Sequence, residues 1–141
     1  MADLLERFKA QYADLNKIQL SQFKELYSPE MIFKDPVHEL RGLVALEDYM
    51  ANLCENISEG QFEYLDQLAS ENTAYIKWNM HFKHPKISQQ LITVRGISQL
   101  QFDSHIYYHE DCYDMGALLY DHLPLLGHTT RWLKRRLAVQ P

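Results

Sequence analysis

Two stretches of alternating residues constrain this chain more than any other feature. In Ala74-Tyr75-Ile76-Lys77-Trp78-Asn79-Met80-His81-Phe82, the side chains of Ile76, Trp78, Met80 and Phe82 fall on one side. Within residues 89–102, Ile92, Val94, Gly96, Ser98, Leu100 and Phe102 share a side in the same way. A period of two is the side-chain repeat of a strand, so both runs read as long strands, the second one bent. Lys83-His84-Pro85-Lys86 between them reads as a turn, because Pro85 has no N–H to give a ladder. Asp103-Ser104-His105 is a second turn, and a last strand follows over residues 106–114. An earlier strand begins after Gly60 with Phe62, Tyr64 and Leu68, although Asp66 interrupts its pattern.

Before Gly60 the period is helical. Leu4, Leu5, Phe8, Tyr12 and Leu15 recur at spacings of three and four, with Asp3 as a possible N-cap. A short second helix is expected over 20–27, ending before Ser28-Pro29. A third is expected over 43–57, burying Leu43, Leu46, Tyr49, Met50, Leu53 and Ile57. Helical segments return at about 116–122 and 128–137, separated by Pro124 and Gly127. Three helices, a meander of strands and a helical tail imply a curved α+β sheet with helices packed on one side. Helices across the open face of such a sheet make a cone, whose mouth is a natural pocket. No repeat or linker divides the 141 residues, so one domain is expected. Residues 1–115 form its body, and 116–141 a helical extension of the same domain.

The formal net charge of −5 argues against a nucleic-acid partner, because phosphate contacts need clustered cations. The apolar runs are too short for a transmembrane segment, and the first residues lack the basic and apolar regions of a signal peptide. Cys54 and Cys112 show no metal-site spacing, which fits reduced thiols and a cytoplasmic location. His81 and His84 would point to opposite faces of a strand, with no acidic or cysteine partner nearby. No metal and no cofactor are expected.

The residues most suggestive of chemistry are Asp35-Pro36-Val37-His38, one residue after the apolar run Met31-Ile32-Phe33. Pro36 restricts Asp35 to an extended conformation. A carboxylate held beside apolar residues can be desolvated and so become a proton acceptor. An ordinary turn also explains Asp-Pro, since both residues are common turn formers. His38 reads as a rim residue or a solvated loop histidine. Period two also places His109, Asp111 and Tyr113 on one face of the last strand. His109 and Asp111 could form a proton-transfer pair, or belong to a surface salt-bridge face.

Taken in order, these signals resemble the nuclear transport factor 2-like superfamily over roughly residues 1–115. Its members include ketosteroid isomerases, SnoaL-type polyketide cyclases and limonene-epoxide hydrolases. Asp35-Pro36-Val37, Gly42 and Tyr49 stand where the isomerases keep their proton-shuttling aspartate, a glycine and an aromatic helix residue. Tyr12 matches their oxyanion tyrosine. The position of their donor aspartate holds Ser98, and loss of one well-placed donor typically costs about a hundredfold in rate. His109-Glu110-Asp111-Cys112-Tyr113-Asp114 resembles the ending of the last strand in the hydrolases, with Asp111 in place of one water-activating carboxylate. The earlier Arg and Asp of the hydrolases are not reproduced; Lys77 and Asn79 stand there.

The resemblance implies a cone-shaped antiparallel sheet against N-terminal helices, with Asp35, Tyr12, Asp111 and His109 as catalytic candidates. His38, Tyr49, Trp78, Met80, Phe82, Ser98 and Tyr113 would line the pocket. It further implies a hydrophobic ligand and, if the protein is an enzyme, cofactor-free isomerase, cyclase or hydratase chemistry on a carbonyl or epoxide compound. A non-catalytic binding or protein-interaction module is the alternative. A homodimer through the sheet is implied as well, with Thr93, Arg95, Gln99 and Gln101 on the pairing face. In the tail, Trp132, Leu133 and Leu137 lie among Arg131, Lys134, Arg135 and Arg136. This pattern reads either as an interfacial helix for a membrane or a partner, with Trp132, Leu133 and Leu137 exposed, or as a helix docked on its own domain; burial of Leu133 and Leu137 against the sheet is expected, leaving the cations as a solvated face.

Overall fold

The computed structural model describes residues 2–118 and 124–139. Helix α1 (Ala2–Ala13) turns Leu4, Leu5, Phe8 and Tyr12 inward. Asp3 lies in its first turn rather than at the N-cap and pairs with Arg7. Two 3-10 turns, Leu15–Lys17 and Leu20–Gln22, lead to a single-turn helix α2 (Phe23–Leu26). The helix expected to reach residue 27 therefore stops one residue sooner. Tyr27 is already extended (φ −111°, ψ 147°) and opens strand β1 (Tyr27–Lys34). Pro29 explains the stop, since it disfavours helix at the preceding residue and is tolerated in a strand at an irregularity. The ladder shifts register between Tyr27 and Ile32, around that proline.

Strand β1 pairs antiparallel with the short β2 (Glu39–Arg41). Gly42 then adopts φ 94°, a conformation that only glycine enters cheaply, and releases the chain into α3 (Leu43–Asn56). The meander follows as β3 (Glu59–Ala69), β4 (Thr73–Lys83), β5 (Ile92–Phe102) and β6 (Ile106–Tyr113). The irregularity at Asp66 is a register shift between Tyr64 and Asp66, so Leu65 is the extra residue that bends β3. The sheet order is β2-β1-β6-β5-β4-β3. All neighbours run antiparallel except β1 and β6, a parallel pair that the alternation pattern did not contain.

The buried side of the sheet is the one the alternation marked. Ile76, Trp78 and Phe82 on β4 and Ile92, Val94, Leu100 and Phe102 on β5 are all buried. They meet α1 and α3 from the other side, along with Phe23, Met31 and Leu46. Each such side chain contributes about 1.5–3 kcal/mol by leaving water. The result is the α+β architecture expected, a curved open sheet with helices packed on its concave side.

Asp114 caps α4 (Met115–Leu118), accepting from Gly116 N at 2.9 Å and Ala117 N at 3.2 Å. The rest of the segment expected at 116–122 lies outside the described residues. Helix α5 (Pro124–Val139) starts earlier than residue 128, with Pro124 at the first helical position, where its missing N–H is harmless. The expected burial of Leu133 and Leu137 is overturned. Leu133 is 48% and Leu137 72% exposed, with Trp132 also at the surface. Helices α1 and α3 already occupy the concave face. One contact between α5 and the body is polar, from Lys134 Nζ to Asp114 Oδ2 at 3.6 Å.

Candidate active site

Between the helices and the sheet lies a cavity of about 100 Å³. Tyr12 from α1, Asp35 from the end of β1, Tyr49 from α3, Trp78 and Met80 from β4, and His109, Asp111 and Tyr113 from β6 all line it. The parallel β1–β6 pairing does much of this, setting Phe33 beside His109 and Lys34 beside Glu110. The three carboxylate and phenol candidates of the sequence, Tyr12, Asp35 and Asp111, thus converge on one space. Ser98 lines a smaller adjoining cavity together with Asp111. His38 and Phe82 are not among the lining residues. His38 sits outside against Asp35, and Phe82 is buried elsewhere in the core.

Asp35 builds the turn that its local sequence allowed, and it also lines the cavity. Its Oδ1 accepts from Val37 N at 2.8 Å and His38 N at 2.6 Å, which builds the turn after β1. The His38 ring nitrogen Nδ1 lies 3.2 Å from the same oxygen. Oδ2 accepts from the Tyr49 hydroxyl at 3.2 Å. Burial, then the negative Asp35 beside them, hold the Tyr49 and Tyr113 phenols well above the usual tyrosine range. Both tyrosines therefore stay protonated at neutral pH, as donors.

A second group runs behind the opposite wall. His109 Nε2 lies 2.8 Å from Asp111 Oδ1, and His109 Nδ1 lies 2.9 Å from the Tyr27 hydroxyl. The Tyr27 hydroxyl lies 2.8 Å from that of Tyr12. Ser98 Oγ donates to Asp111 Oδ1 at 2.5 Å and accepts from Trp78 Nε1 at 2.9 Å. Burial pushes the Tyr12 and Tyr27 phenols far above their ordinary range. Gly96 makes the Trp78 placement possible, because the indole lies flat over the spot a Cβ would fill.

The remaining wall is apolar, and sequence reading missed most of it: Leu15, Phe33, Met50, Leu53, Phe62 and Val94. Met50 and Leu53 were in the inward stripe of α3, and Phe62 and Val94 were in strand alternations. Their period marks them as inward-facing but cannot separate core from cavity wall. Tyr27 was missed because it was assigned to a helix. None of the described lining residues is Lys or Arg. Among the described residues, no cluster of three His, Cys, Asp or Glu side chains could hold a metal ion. The arrangement can hold a small, mostly apolar molecule between two carboxylates and several phenols.

The profile of the SnoaL-like domain matches residues 8–109. By sequence, no curated protein matches the chain. Among solved structures, a SnoaL-like protein of Jannaschia sp. CCS1 named as a polyketide cyclase superposes with a TM-score of 0.74 at 10% identity, covering 83% of this chain and 87% of that one. A ketosteroid isomerase-like protein of Catenulispora acidiphila, crystallised with trimethylamine, gives a TM-score of 0.72 at 10% identity, covering 82% and 88%. TerC, crystallised with polyporic acid, gives 0.72 at 9% identity, covering 83% and 93%. Identities this low speak to the fold alone, while the domain match spans most of the chain and includes Tyr12, Asp35 and His109. The chain belongs to the SnoaL-like family and has the nuclear transport factor 2-like fold.

Proposed function

We propose that this protein binds a hydrophobic small molecule in the cavity and acts on it as a cofactor-free isomerase, cyclase or hydratase. The substrate is a hydrophobic carbonyl or epoxide compound. Asp35 accepts a proton from carbon or from water. Tyr12 meets the oxygen on which charge develops, and Asp111, aided by His109, is a second proton carrier. The observation that carries this reading is the convergence of Tyr12, Asp35 and Asp111 on one largely apolar cavity. An apolar wall strengthens each polar contact inside it by excluding water. The crystallisation of TerC with polyporic acid, an organic ligand in the same fold, supports small-molecule binding.

The test begins with a thermal-shift screen of hydrophobic ketones, enones and epoxides. Each compound that stabilises the protein is then followed by NMR for exchange of its acidic C–H with deuterated solvent, or for epoxide opening. Positioned general-base catalysis contributes about 10²–10⁴-fold, so Asp35→Asn should lower the rate by at least about a hundredfold. A second reading, a non-catalytic binding module, is favoured by one observation: two backbone N–H groups already claim Asp35 Oδ1 for a turn. Stabilisation without exchange, unchanged by Asp35→Asn, would decide for that reading.

The outer face of the sheet carries Thr93, Arg95, Gln99 and Gln101 beside exposed Tyr75 and Ile97. This mixed surface supports a homodimer formed sheet to sheet. A monomer in sedimentation at micromolar concentration would remove that element. Cys54 and Cys112 are both free thiols, which supports a reducing, cytoplasmic setting.

A further inference from the structure

Helix α5 faces the body with its polar side and solvent with its apolar side. At 100° per residue, Gly127, Arg131 and Lys134 fall in one strip along the helix, spaced by four and three. Gly127 is buried and Arg131 half-buried. Lys134 reaches back to Asp114 and lies over Gly116 of α4, so this strip is the inward one. Trp132, Leu133 and Leu137 fall on the other side, and all three are exposed. Arg136 shares that side, its guanidinium 5.2 Å from the centre of the Trp132 ring. Such stacking keeps a cation beside an apolar strip without burying its charge. Along the edge of the strip, a shallow hollow is lined by His128, Thr129, Trp132 and Arg135.

Two observations choose what covers the strip. The first is charge. Helix α5 carries Arg131, Lys134, Arg135 and Arg136 and no acidic residue, in a chain with 14 Lys and Arg against 19 Asp and Glu. The helix is basic and the rest of the chain acidic, so an anionic surface would draw the protein in helix first. Two copies meeting helix to helix would instead set like charges together. The second is area. Trp132, Leu133 and Leu137 offer roughly 300 Å² of exposed apolar surface, against about 800 Å² a side in a stable protein interface. A bilayer makes no such demand, because shallow insertion of a few side chains adds to the attraction of cations for headgroups.

We infer that α5 docks this protein on an anionic lipid bilayer, lying in the plane of the surface with Trp132, Leu133 and Leu137 inserted below the headgroups. Arg135 and Arg136, with His128 across the hollow, meet the lipid phosphates. Among the described residues no helix is long and apolar enough to cross a membrane, so α5 lies on the bilayer rather than through it. Asp114, which holds Lys134, directly follows Tyr113 of the cavity wall. A docked α5 therefore ties that wall to the phase in which apolar molecules collect. The docking stands apart from the acid–base reading and uses none of its residues.

Co-sedimentation of the full chain with vesicles tests this. Vesicles of mixed phosphatidylglycerol and phosphatidylcholine are compared with pure phosphatidylcholine, each at low and high salt. Binding to the anionic vesicles that weakens with salt is expected. No binding, or equal binding to both, would overturn the inference. Each cation at an anionic surface is worth roughly fivefold in affinity, so Arg135→Gln with Arg136→Gln should weaken binding about 25-fold. Leu133→Ser with Leu137→Ser should weaken it about tenfold or more, because the apolar contribution follows the area buried. Affinity unchanged by either pair would overturn the inference. Trp132 emission should move to the blue on the anionic vesicles, a shift absent from Trp132→Phe, since Trp78 is already buried. Bound protein without that shift would also count against insertion and overturn it. Sedimentation without lipid supplies the rival outcome: a dimer dissolved by the two leucine substitutions would assign the strip to a second copy of the chain and overturn the bilayer. All the replaced side chains are at the surface. Should a variant fail to fold, the wild-type lipid preference and Trp132 emission still decide. The Asp35-dependent exchange assay needs no lipid, so failure of one reading is distinguishable from failure of the other.

Discussion

Replacing Gly96 by alanine should damage the site from beneath. Gly96 on β5 is the register partner of Trp78 on β4 and lies under its ring. A Cβ built there falls 2.7 Å from Cζ2 and Cζ3 of Trp78, and closer still to Cη2. Carbon atoms rest about 3.5–4.0 Å apart, so the indole has to retreat by roughly 1 Å. Overpacking of this kind costs about 1–3 kcal/mol. The retreat also pulls Nε1 away from Ser98 Oγ, now 2.9 Å away. A buried donor left unpaired adds about 1–3 kcal/mol, which the partial shift would incur only in part. A total of about 2–4 kcal/mol is expected, lowering Tm by roughly 6–20 °C in a domain of this size. Urea unfolding followed by circular dichroism measures the loss. The chain has 2 tryptophans, so a Trp132→Phe background leaves Trp78 as the sole fluorophore, and its emission should change with the substitution. A loss below about 0.5 kcal/mol with unchanged emission would refute the packing argument.

Two further outcomes follow from burial. Tyr12 and Tyr27 keep their protons in the folded state well above the ordinary range, first because they are buried. The unfolded chain releases those protons near pH 10, so their stabilising contribution is complete below that pH and declines above it. The slope should be about 1.4 kcal/mol per pH unit for each, or roughly 2.7 for the pair, and a urea midpoint that stays flat to pH 11 would contradict it. On α5, Leu133→Ser and Leu137→Ser should each change stability by less than about 0.5 kcal/mol, because both leucines are exposed. A loss of about 2 kcal/mol or more would mean that they are buried after all.

The sequence alone determined the parts of this protein that depend on near neighbours. Alternation in β4 and β5 settled which side chains face inward, and the break at Asp66 marked a real irregularity in β3. The Asp35 turn was legible too, since Val37, His38 and Tyr49, which donate to or touch its carboxylate, all lie within fourteen residues. His109 and Asp111 share a face by period alone, and their pairing follows from a separation of two residues. Local pattern went astray where tertiary packing overrode it. Tyr27 continues an apparently helical run but is taken into β1, and Leu133 and Leu137 of α5 look like core while the concave face is already filled. What joins the site is longer in range. Tyr27 and His109 are 82 residues apart, and they meet because β1 lies parallel to β6. Trp78 reaches Ser98 across 20 residues because Gly96 leaves room for the ring. Periodicity is fixed by backbone geometry within a few residues, so a sequence displays it directly. Strand partners, their register, and hence which hydroxyl meets which imidazole are fixed by packing the whole chain at once, and only the tertiary structure decided them.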